Sequence, residues 1–350
     1  MQRIAIIPGD GIGVDVTREA VKVLRCASEV SGVAFEFTDF DLGADRFLRT
    51  GIAITEEDWT ALAAHDAIFL GAMGDPRVPG NEHARAILLG MRFRFDLYIN
   101  LRPVRLFDAR FSPLKDVKAA DVDMVIFREN TEGLYVGVGG QVKRGTADEV
   151  ALQEDVNTRK GVERIIRAAF EYARAKQRRK VTLTDKSNAM EHVGELWRRV
   201  FKQVAAQYTD IPTDAVYVDA LAMNMILRPA DYDVIVAPNL FGDILSDVAA
   251  ALVGGLGLAP SGNLHPGRPG LYEPVHGSAP PLVGTNRANP LAAVLTAALM
   301  LEQLGHAQLA QPLEAAVAAA VAAGETTPDL GGNLGTDAVG DGICRRLRGK

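Results

Sequence analysis

Short apolar runs alternate with helical patterns along most of this chain. Arg3–Ile7, Ala67–Leu70, Val122–Phe127, Val181–Thr184, Val216–Val218 and Asp233–Ala237 are each dominated by apolar residues, and each predicts a buried strand. Val33, Phe35 and Phe37 fall on every second position, as in a half-buried strand. Between these runs the period changes. Val16, Ala20, Val21 and Leu24 share one helical face, as do Val162, Ile165, Ile166, Ala169, Phe170 and Ala173. Glu191–Tyr208 has the same character, and alanine-rich Ala315–Ala323 predicts plain helix. Strands alternating with helices predict an α/β fold with helices on both faces of a sheet. Leu291–Leu304 is the longest apolar stretch. It is too short for a bilayer and predicts an amphipathic helix.

Polar residues at the ends of these runs suggest chemistry. Asn239-Leu240-Phe241-Gly242-Asp243-Ile244-Leu245-Ser246-Asp247 follows the strand at Asp233–Ala237, with Pro238 between them and a helix expected to start near Gly242. Asp243 and Asp247 are then one turn apart on one face. Like charges so placed destabilise a helix slightly, and a hard cation such as Mg²⁺ or Mn²⁺ between them reverses the sign. Two solvated acids near a helix N-terminus are the plain alternative. Pro8-Gly9-Asp10-Gly11-Ile12-Gly13 lies between a strand and a helix, where it is either a phosphate cradle or a tight turn. It does not match the dinucleotide fingerprint G-x-G-x-x-G.

Arg92, Arg102 and Arg128 are candidates to grip carboxylates, and Arg128 closes an apolar strand instead of lying in a polar run. Lys186, in Asp185-Lys186-Ser187-Asn188 after another strand, is a candidate general base. Asp219 ends the run Val216–Val218 in the same way, and His276 lies in the proline-bounded loop Glu273–Pro280. A solvated surface or turn residue is the plain alternative for each, the favoured one for Lys186 taken singly, and Arg128 resists it because it closes an apolar strand.

The net charge of −6 argues against a nucleic-acid or membrane-surface partner, though not against an anionic substrate held by local arginines. Cys26 and Cys344 are the only cysteines. They are far apart in sequence, lack ligand spacing, and fit a reducing compartment. Met1–Ile7 enters a strand pattern with no signal-peptide character, so a cytoplasmic protein is expected.

The ordered stretches Gly9–Gly13, Asn100-Leu101-Arg102-Pro103, Arg128-Glu129-Asn130-Thr131-Glu132-Gly133, Asp185–Asn188, Asn239–Asp247, Glu273–Pro280 and Thr327-Pro328-Asp329-Leu330-Gly331-Gly332 together resemble the β-decarboxylating dehydrogenases, the isocitrate and 3-isopropylmalate dehydrogenase family. The resemblance runs almost end to end. It implies a two-domain fold with a mixed sheet flanked by helices, not a Rossmann fold. The first domain, which binds cofactor, would take residues 1–98 and 254–350. The second, which binds substrate and metal and builds a homodimer, would take 99–253, with an arm near 136–152.

The resemblance further implies oxidation of a malate-type 2-hydroxy acid by NAD, followed by loss of the 3-carboxylate as CO₂. Arg92, Arg102 and Arg128 match the arginines that hold the substrate carboxylates, and Leu88 and Leu89 match positions facing the 3-substituent. Asp243 and Asp247, with Asp219 of the partner subunit, match ligands of Mg²⁺ or Mn²⁺. Lys186 of the partner subunit matches the base for the 2-hydroxyl, and Tyr135 the acid that protonates the enol. Ile12, Gly71, Ala72, His276, Gly277, Ser278, Ala279, Asn289 and Asp329 match the cofactor site. An active site shared across two subunits requires a dimer. The intact catalytic set argues against a silent regulatory subunit, and the metal acids against a nucleotide-binding module without chemistry.

Two departures bear on specificity. Pro281 and Leu282 stand where NAD-using relatives commonly carry an acid and NADP-using ones lysine and tyrosine. NAD is expected, because neither residue can meet a 2′-phosphate. Arg85 stands where the isopropylmalate branch typically has an acid, and Asn130 where it has a leucine. An Arg85 turned outward is a solvated helix residue; turned inward, it would meet a second distal carboxylate, as in isocitrate or homoisocitrate. Apolar Leu88 and Leu89 favour 3-isopropylmalate. The wording of Gly71–Pro76, Asn100–Leu106 and Arg128–Gly133 is closer to the tartrate and D-malate branch, so D-malate or a related malate is the expected substrate, ahead of 3-isopropylmalate.

Overall fold

The computed structural model describes residues 1–349. In chain order the elements are β1 (Gln2–Gly9), α1 (Ile12–Ser31), β2 (Phe35–Asp39), α2 (Ala44–Thr50), α3 (Glu56–Ala63) and β3 (Ala67–Ala72). A helical segment follows, made of α4 (Glu82–Ala84), a π-helical turn (Arg85–Leu89) and α5 (Gly90–Arg94). Then come β4 (Ile99–Arg105), β5 (Asp123–Glu129), β6 (Gly139–Val142), β7 (Val150–Gln153), α6 (Arg159–Ala175), β8 (Val181–Asp185) and α7 (Glu191–Ala205). The chain continues through β9 (Thr213–Tyr217), α8 (Val218–Leu227), β10 (Val234–Ala237), α9 (Asn239–Leu252), β11 (Pro260–Leu264) and β12 (Gly270–Pro274). It closes with α10 (Leu291–Gln303), α11 (Ala307–Ala322) and α12 (Thr336–Leu347). No helix among the described residues is long and apolar enough to cross a membrane.

The chain forms two compact units. The first holds Met1–Leu97, Arg105–Ala119 and the chain from Ala250 onward; the second holds Tyr98–Val104 and Ala120–Ala249. Residues 105–119 thus lie in the first unit, although the continuous 99–253 block expected from the resemblance assigns them to the second.

In the first unit the strand order is β2-β1-β3-β12-β11, parallel except for the antiparallel pair β11–β12. Ile6 lies opposite Phe69, and Tyr272 opposite the same Phe69, so the loops after β1, β3 and β12 leave one edge of the sheet. Carboxyl edges of parallel strands are where α/β sheets present ligand-binding loops. The core beneath joins Ala5, Ile7, Ile68, Leu70 and Leu271 of these strands to Trp59, Leu62, Ile87 and Met91. Ile87 and Met91 have no exposed surface, and each buried side chain of that size contributes about 1.5–3 kcal/mol. They fix the helical segment of residues 82–94 to the sheet.

The second unit has the order β4-β5-β10-β8-β9, with β10 parallel to β5 and β8, and β8 parallel to β9. Val162, Ile165, Ile166, Ala169, Phe170 and Ala173 are all buried on α6, on the face their spacing predicts. Thr158 caps that helix by accepting from the Gly161 N–H at 3.0 Å. β6 and β7 form a separate antiparallel pair, and every residue of both strands is exposed.

Three local expectations are corrected. α9 begins at Asn239, three residues before Gly242, because the helix starts directly after Pro238. Val218 opens α8 and does not end a strand, so Asp219 lies in a first helical turn. α10 is not amphipathic: Leu291 to Leu301 are all buried, and the helix packs against α11, α1, β11 and β12. Cys26 and Cys344, distant in sequence, meet where α1 packs on α12; both thiols are free and buried, and burial pushes Cys344 up to about 12. A thiol so held stays protonated and unreactive at neutral pH.

Candidate active site

Arg128 organises the second unit's polar cluster. It lies within β5, opposite Ala237 of β10, and is 2% exposed. A guanidinium so buried needs acidic or carbonyl partners. Its Nε donates to Asn239 Oδ1 at 2.9 Å, its Nη1 pairs with Asp243, and its guanidinium lies over the Tyr135 ring at 5.1 Å. Gly242 makes this approach possible: a Cβ there would sit 2.6 Å from Arg128 Cβ, so any side chain would push α9 off the strand.

Arg102 reaches the same acid from β4. Its Nη1 is 3.4 Å from Asp243 Oδ1 and 3.9 Å from Asp247 Oδ1, and it also donates to Ser246 Oγ. Asn100, two residues earlier, accepts from Arg102 Nε at 2.7 Å and donates to Asn130 Oδ1 at 3.3 Å. Tyr135 donates its hydroxyl to Asp243 Oδ2 at 2.7 Å. Burial, and secondarily the Asp243 charge, push the Asp247 carboxyl above the usual carboxylate range, while Arg102 pulls the other way. The result is two buried arginines, a tyrosine hydroxyl and two adjacent carboxylates within one cluster.

Lys186 and Asp219 form a different pair. Asp185 lies opposite Tyr217 in the β8–β9 register, which brings the residues after these strands together. Lys186 Nζ is 2.8 Å from Asp219 Oδ1, and the lysine holds that exposed carboxyl below the usual range. Among the described residues no three acidic, histidine or cysteine side chains converge as a metal site, so Asp219 does not join Asp243 and Asp247 within one chain.

The remaining candidates lie in the first unit. Arg92 is 5% exposed and its Nη2 donates to Glu273 Oε1 at 3.1 Å, while its Nε is buried without a partner. Leu88 is half-buried and packs on the core; Leu89 is half-buried, and Arg85 on the same π-helical turn is exposed.

The cofactor candidates gather at the sheet's carboxyl edge. Ile12 N–H donates to Ser278 O at 2.8 Å, and a Cβ on Gly11 would fall 2.1 Å from that same oxygen. Close backbone approach thus accounts for the glycine. Ala279 has φ of 39°, an unusual value for alanine. His276 Nδ1 lies 3.0 Å from Gly277 O, and its Nε2 is buried without a partner. Burial holds the His276 ring below the usual histidine range, so it is neutral at pH 7. Asn289 and Asp329 are held by each other at 2.9 Å, and Asn289 also caps α10 through Leu291 N–H. Pro281 is exposed and Leu282 half-buried.

Sequence reasoning left Asn100, Asn239, Ser246 and Glu273 without roles. Asn239, Asp243 and Ser246 fall at i, i+4 and i+7, so once the helix start is placed correctly a common face is visible.

The isocitrate/isopropylmalate dehydrogenase family pattern matches residues 3–343. The chain is 44% identical over 347 residues to the 3-isopropylmalate dehydrogenase of Thermobifida fusca, covering 99% of this chain and 97% of that protein. It is 49% identical over 327 residues to that of Leifsonia xyli, covering 92% and 91%. Among solved structures, isocitrate dehydrogenase from Methylococcus capsulatus superposes with a TM-score of 0.91 at 37% identity, covering 99% of this chain and 100% of the other. The TT0538 protein of Thermus thermophilus superposes with a TM-score of 0.88 at 35% identity, covering 99% and 68%. The chain belongs to the isocitrate/isopropylmalate dehydrogenase family. It is an oxidoreductase of the β-decarboxylating class, acting on a CH–OH carbon with a nicotinamide acceptor. The expected preference for D-malate or tartrate finds no support in these relatives, whose names favour 3-isopropylmalate.

Proposed function

We propose that this protein oxidatively decarboxylates 3-isopropylmalate with NAD and Mg²⁺ or Mn²⁺, as a homodimer whose active sites draw residues from both copies. The observation that carries the chemistry is the convergence of Arg102, Arg128 and Tyr135 on Asp243, with Asp247 beside it. Hard carboxylate oxygens suit a divalent magnesium or manganese ion. The unpartnered, buried Nε2 of neutral His276 suits a donor from a bound nucleotide. When bound, NAD accepts the C2 hydride and the cation stabilises negative charge on the substrate oxygen.

The side chains supply the rest. Arg102 and Arg128 hold the substrate carboxylates, displacing Asp243 as their partner. Lys186 of the partner subunit removes the 2-hydroxyl proton as hydride leaves C2. Once the 3-carboxylate departs as CO₂, Tyr135 returns a proton to C3, leaving a 2-oxo acid. Support for the homodimer comes from apolar surface. Met223, Ile226, Leu227 and Ile244 on α8 and α9 are exposed, as are Val142 and Leu152 on the isolated β6–β7 pair. A two-stranded sheet with no packed face is marginal alone, and exposed apolar patches mark interfaces.

The substrate reading rests on the half-buried, apolar Leu88 and Leu89 and on the names of the relatives; Arg85 on the same turn is exposed. Each CH₂ buried there contributes about 0.8 kcal/mol. With Mg²⁺ and NAD, kcat/KM for 3-isopropylmalate is expected to exceed that for D-malate, tartrate, isocitrate and homoisocitrate by at least about tenfold, or about 1.4 kcal/mol. NADH absorbance over that panel is the test. D-malate or tartrate as the best substrate would overturn the assignment, and a preference for isocitrate lost in Arg85→Ala would show that arginine facing the substrate.

The same assay separates the cofactors. Pro281 and Leu282 offer no charge or donor to a 2′-phosphate, so kcat/KM is expected to be higher with NAD than with NADP. The reverse order would place the phosphate contact elsewhere in the chain.

A further inference from the structure

His83 has no exposed surface, and no step of the proposed reaction uses it. Its Nε2 lies 2.7 Å from Asp10 Oδ2. Phe47 stacks on the ring at 6.0 Å between centroids, and Nδ1 is buried with no partner. A ring nitrogen against a carboxylate carries the hydrogen, and an unpartnered buried nitrogen is best left bare. The arrangement is therefore a histidine donating through Nε2 to Asp10.

Asp10 is 5% exposed and is a four-way junction. Its Oδ1 accepts from Ala44 N–H at 2.6 Å, at the start of α2. Its Oδ2 accepts from Gly74 N–H at 2.7 Å as well as from His83, and its own N–H donates to Ala72 O at 2.8 Å. Gly43 must be small beside it, since a Cβ there would lie 2.8 Å from Asp10 Oδ1. Asp10 thus ties the turn between β1 and α1, which leads into Ile12, to the end of β3, where Gly71 and Ala72 lie, and to the loop that follows it. His83 extends the tie to α4, the first turn of the segment that carries Leu88, Leu89 and Arg92. Ile87 and Met91 anchor that segment by apolar contact, which fixes depth but not rotation. A directional hydrogen bond at its start fixes rotation.

We propose that His83 is a positioning residue for both ligands: through Asp10 it locks the segment bearing the substrate candidates to the β1–α1 turn and the end of β3, which adjoin the cofactor candidates Ile12, Gly71 and Ala72. This rests on the functional reading above. A change at His83 then alters both binding constants, although its side chain touches neither ligand.

The test compares His83→Leu with His83→Gln. Glutamine places an amide donor near the Nε2 position; leucine places none. In His83→Leu, Kd for NAD by calorimetry and KM for 3-isopropylmalate are both expected to rise about tenfold, the equivalent of one lost charge-assisted bond, with kcat within about threefold of wild type. His83→Gln is expected to stay within about threefold of wild type in both constants. A side chain needed only for packing would lower the melting temperature and the folded fraction while leaving Kd and KM unchanged. Wild-type constants in His83→Leu, or equal impairment in His83→Gln, overturn the proposal. If the leucine variant does not fold, His83→Asn replaces it, because its shorter amide does not reach Asp10; the same two outcomes decide. Wild-type enzyme inactive on every malate-type acid would sink the functional reading, whereas active wild type with unaffected variants sinks only the positioning role.

Discussion

Asp243→Asn is expected to lower kcat by about a thousandfold, some 4 kcal/mol of transition-state stabilisation, with little change in overall shape. Asparagine keeps the size of the side chain and removes its charge. In the structure that charge pairs with Arg128 and Arg102 and accepts the Tyr135 hydroxyl at 2.7 Å. Without it, the buried Arg128 keeps its bond to Asn239 but loses a carboxylate counter-charge, and loss of the charged partner from such a buried pair costs about 3–5 kcal/mol of stability. The variant should therefore melt earlier as well as turn over slowly. The two effects separate by titration. If Asp243 holds the divalent ion, the wild type loses turnover on chelation with EDTA and regains it with Mg²⁺ or Mn²⁺. The variant then needs a far higher metal concentration for whatever activity remains, even at a temperature where it is fully folded. Full wild-type turnover after exhaustive chelation defeats the metal assignment. A variant with normal metal dependence and a low melting temperature reduces Asp243 to a counter-ion for the arginines.

The parts of the fold that could be read from sequence are those where one physical signal dominates. Val234–Ala237 is buried on both faces of a parallel arrangement, so it reads as a continuous apolar run. α6 buries one stripe, so its period is plain. Failures came where two signals compete. Val218 is β-branched and follows a strand without a break, yet it begins α8; a short apolar run does not distinguish the two states. α10 is apolar all round because it is wrapped by other elements, and nothing local distinguishes a wrapped helix from a one-sided one. The π-helical turn at Arg85–Leu89 has no sequence signature, and it sets which of those side chains face the core. Candidate residues at strand ends, Arg128 and Lys186 among them, stand out because charge interrupts or closes an apolar run. His83 does not, since a single histidine in a polar stretch is ordinary, and Asn100, between Ile99 and Leu101, carries no charge to mark it. Substrate choice was least visible, because it rests on the orientation of three side chains, Arg85, Leu88 and Leu89, and not on any motif.

Lys186→Met and Tyr135→Phe are expected to fail at different steps. Lys186 Nζ pairs with Asp219 Oδ1 at 2.8 Å, whereas the Tyr135 hydroxyl is bonded to Asp243, in the arginine cluster. Among the described residues Asp219 joins no group of three potential metal ligands, so within one chain these are two incomplete sets. If Lys186 is the base for the 2-hydroxyl, its loss removes the proton transfer that must accompany hydride departure. Single-turnover NADH formation in Lys186→Met should then fall by about 10³–10⁴. If Tyr135 acts only after CO₂ has left, Tyr135→Phe should retain NADH formation within about tenfold in a single turnover while its steady-state rate collapses. Equal loss of hydride transfer in both variants contradicts this division. The shared-site reading has its own test in the same materials. Co-expression of Lys186→Met with Asp243→Asn yields mixed dimers, half of the total if assembly is random. Each mixed dimer has one site that combines an intact Asp243 from one copy with an intact Lys186 from the other. About a quarter of wild-type activity should return, although each variant alone is inactive. Mixed dimers with no activity would place Lys186 and Asp243 in the same site of the same chain, and the exposed Lys186–Asp219 pair would then need another role.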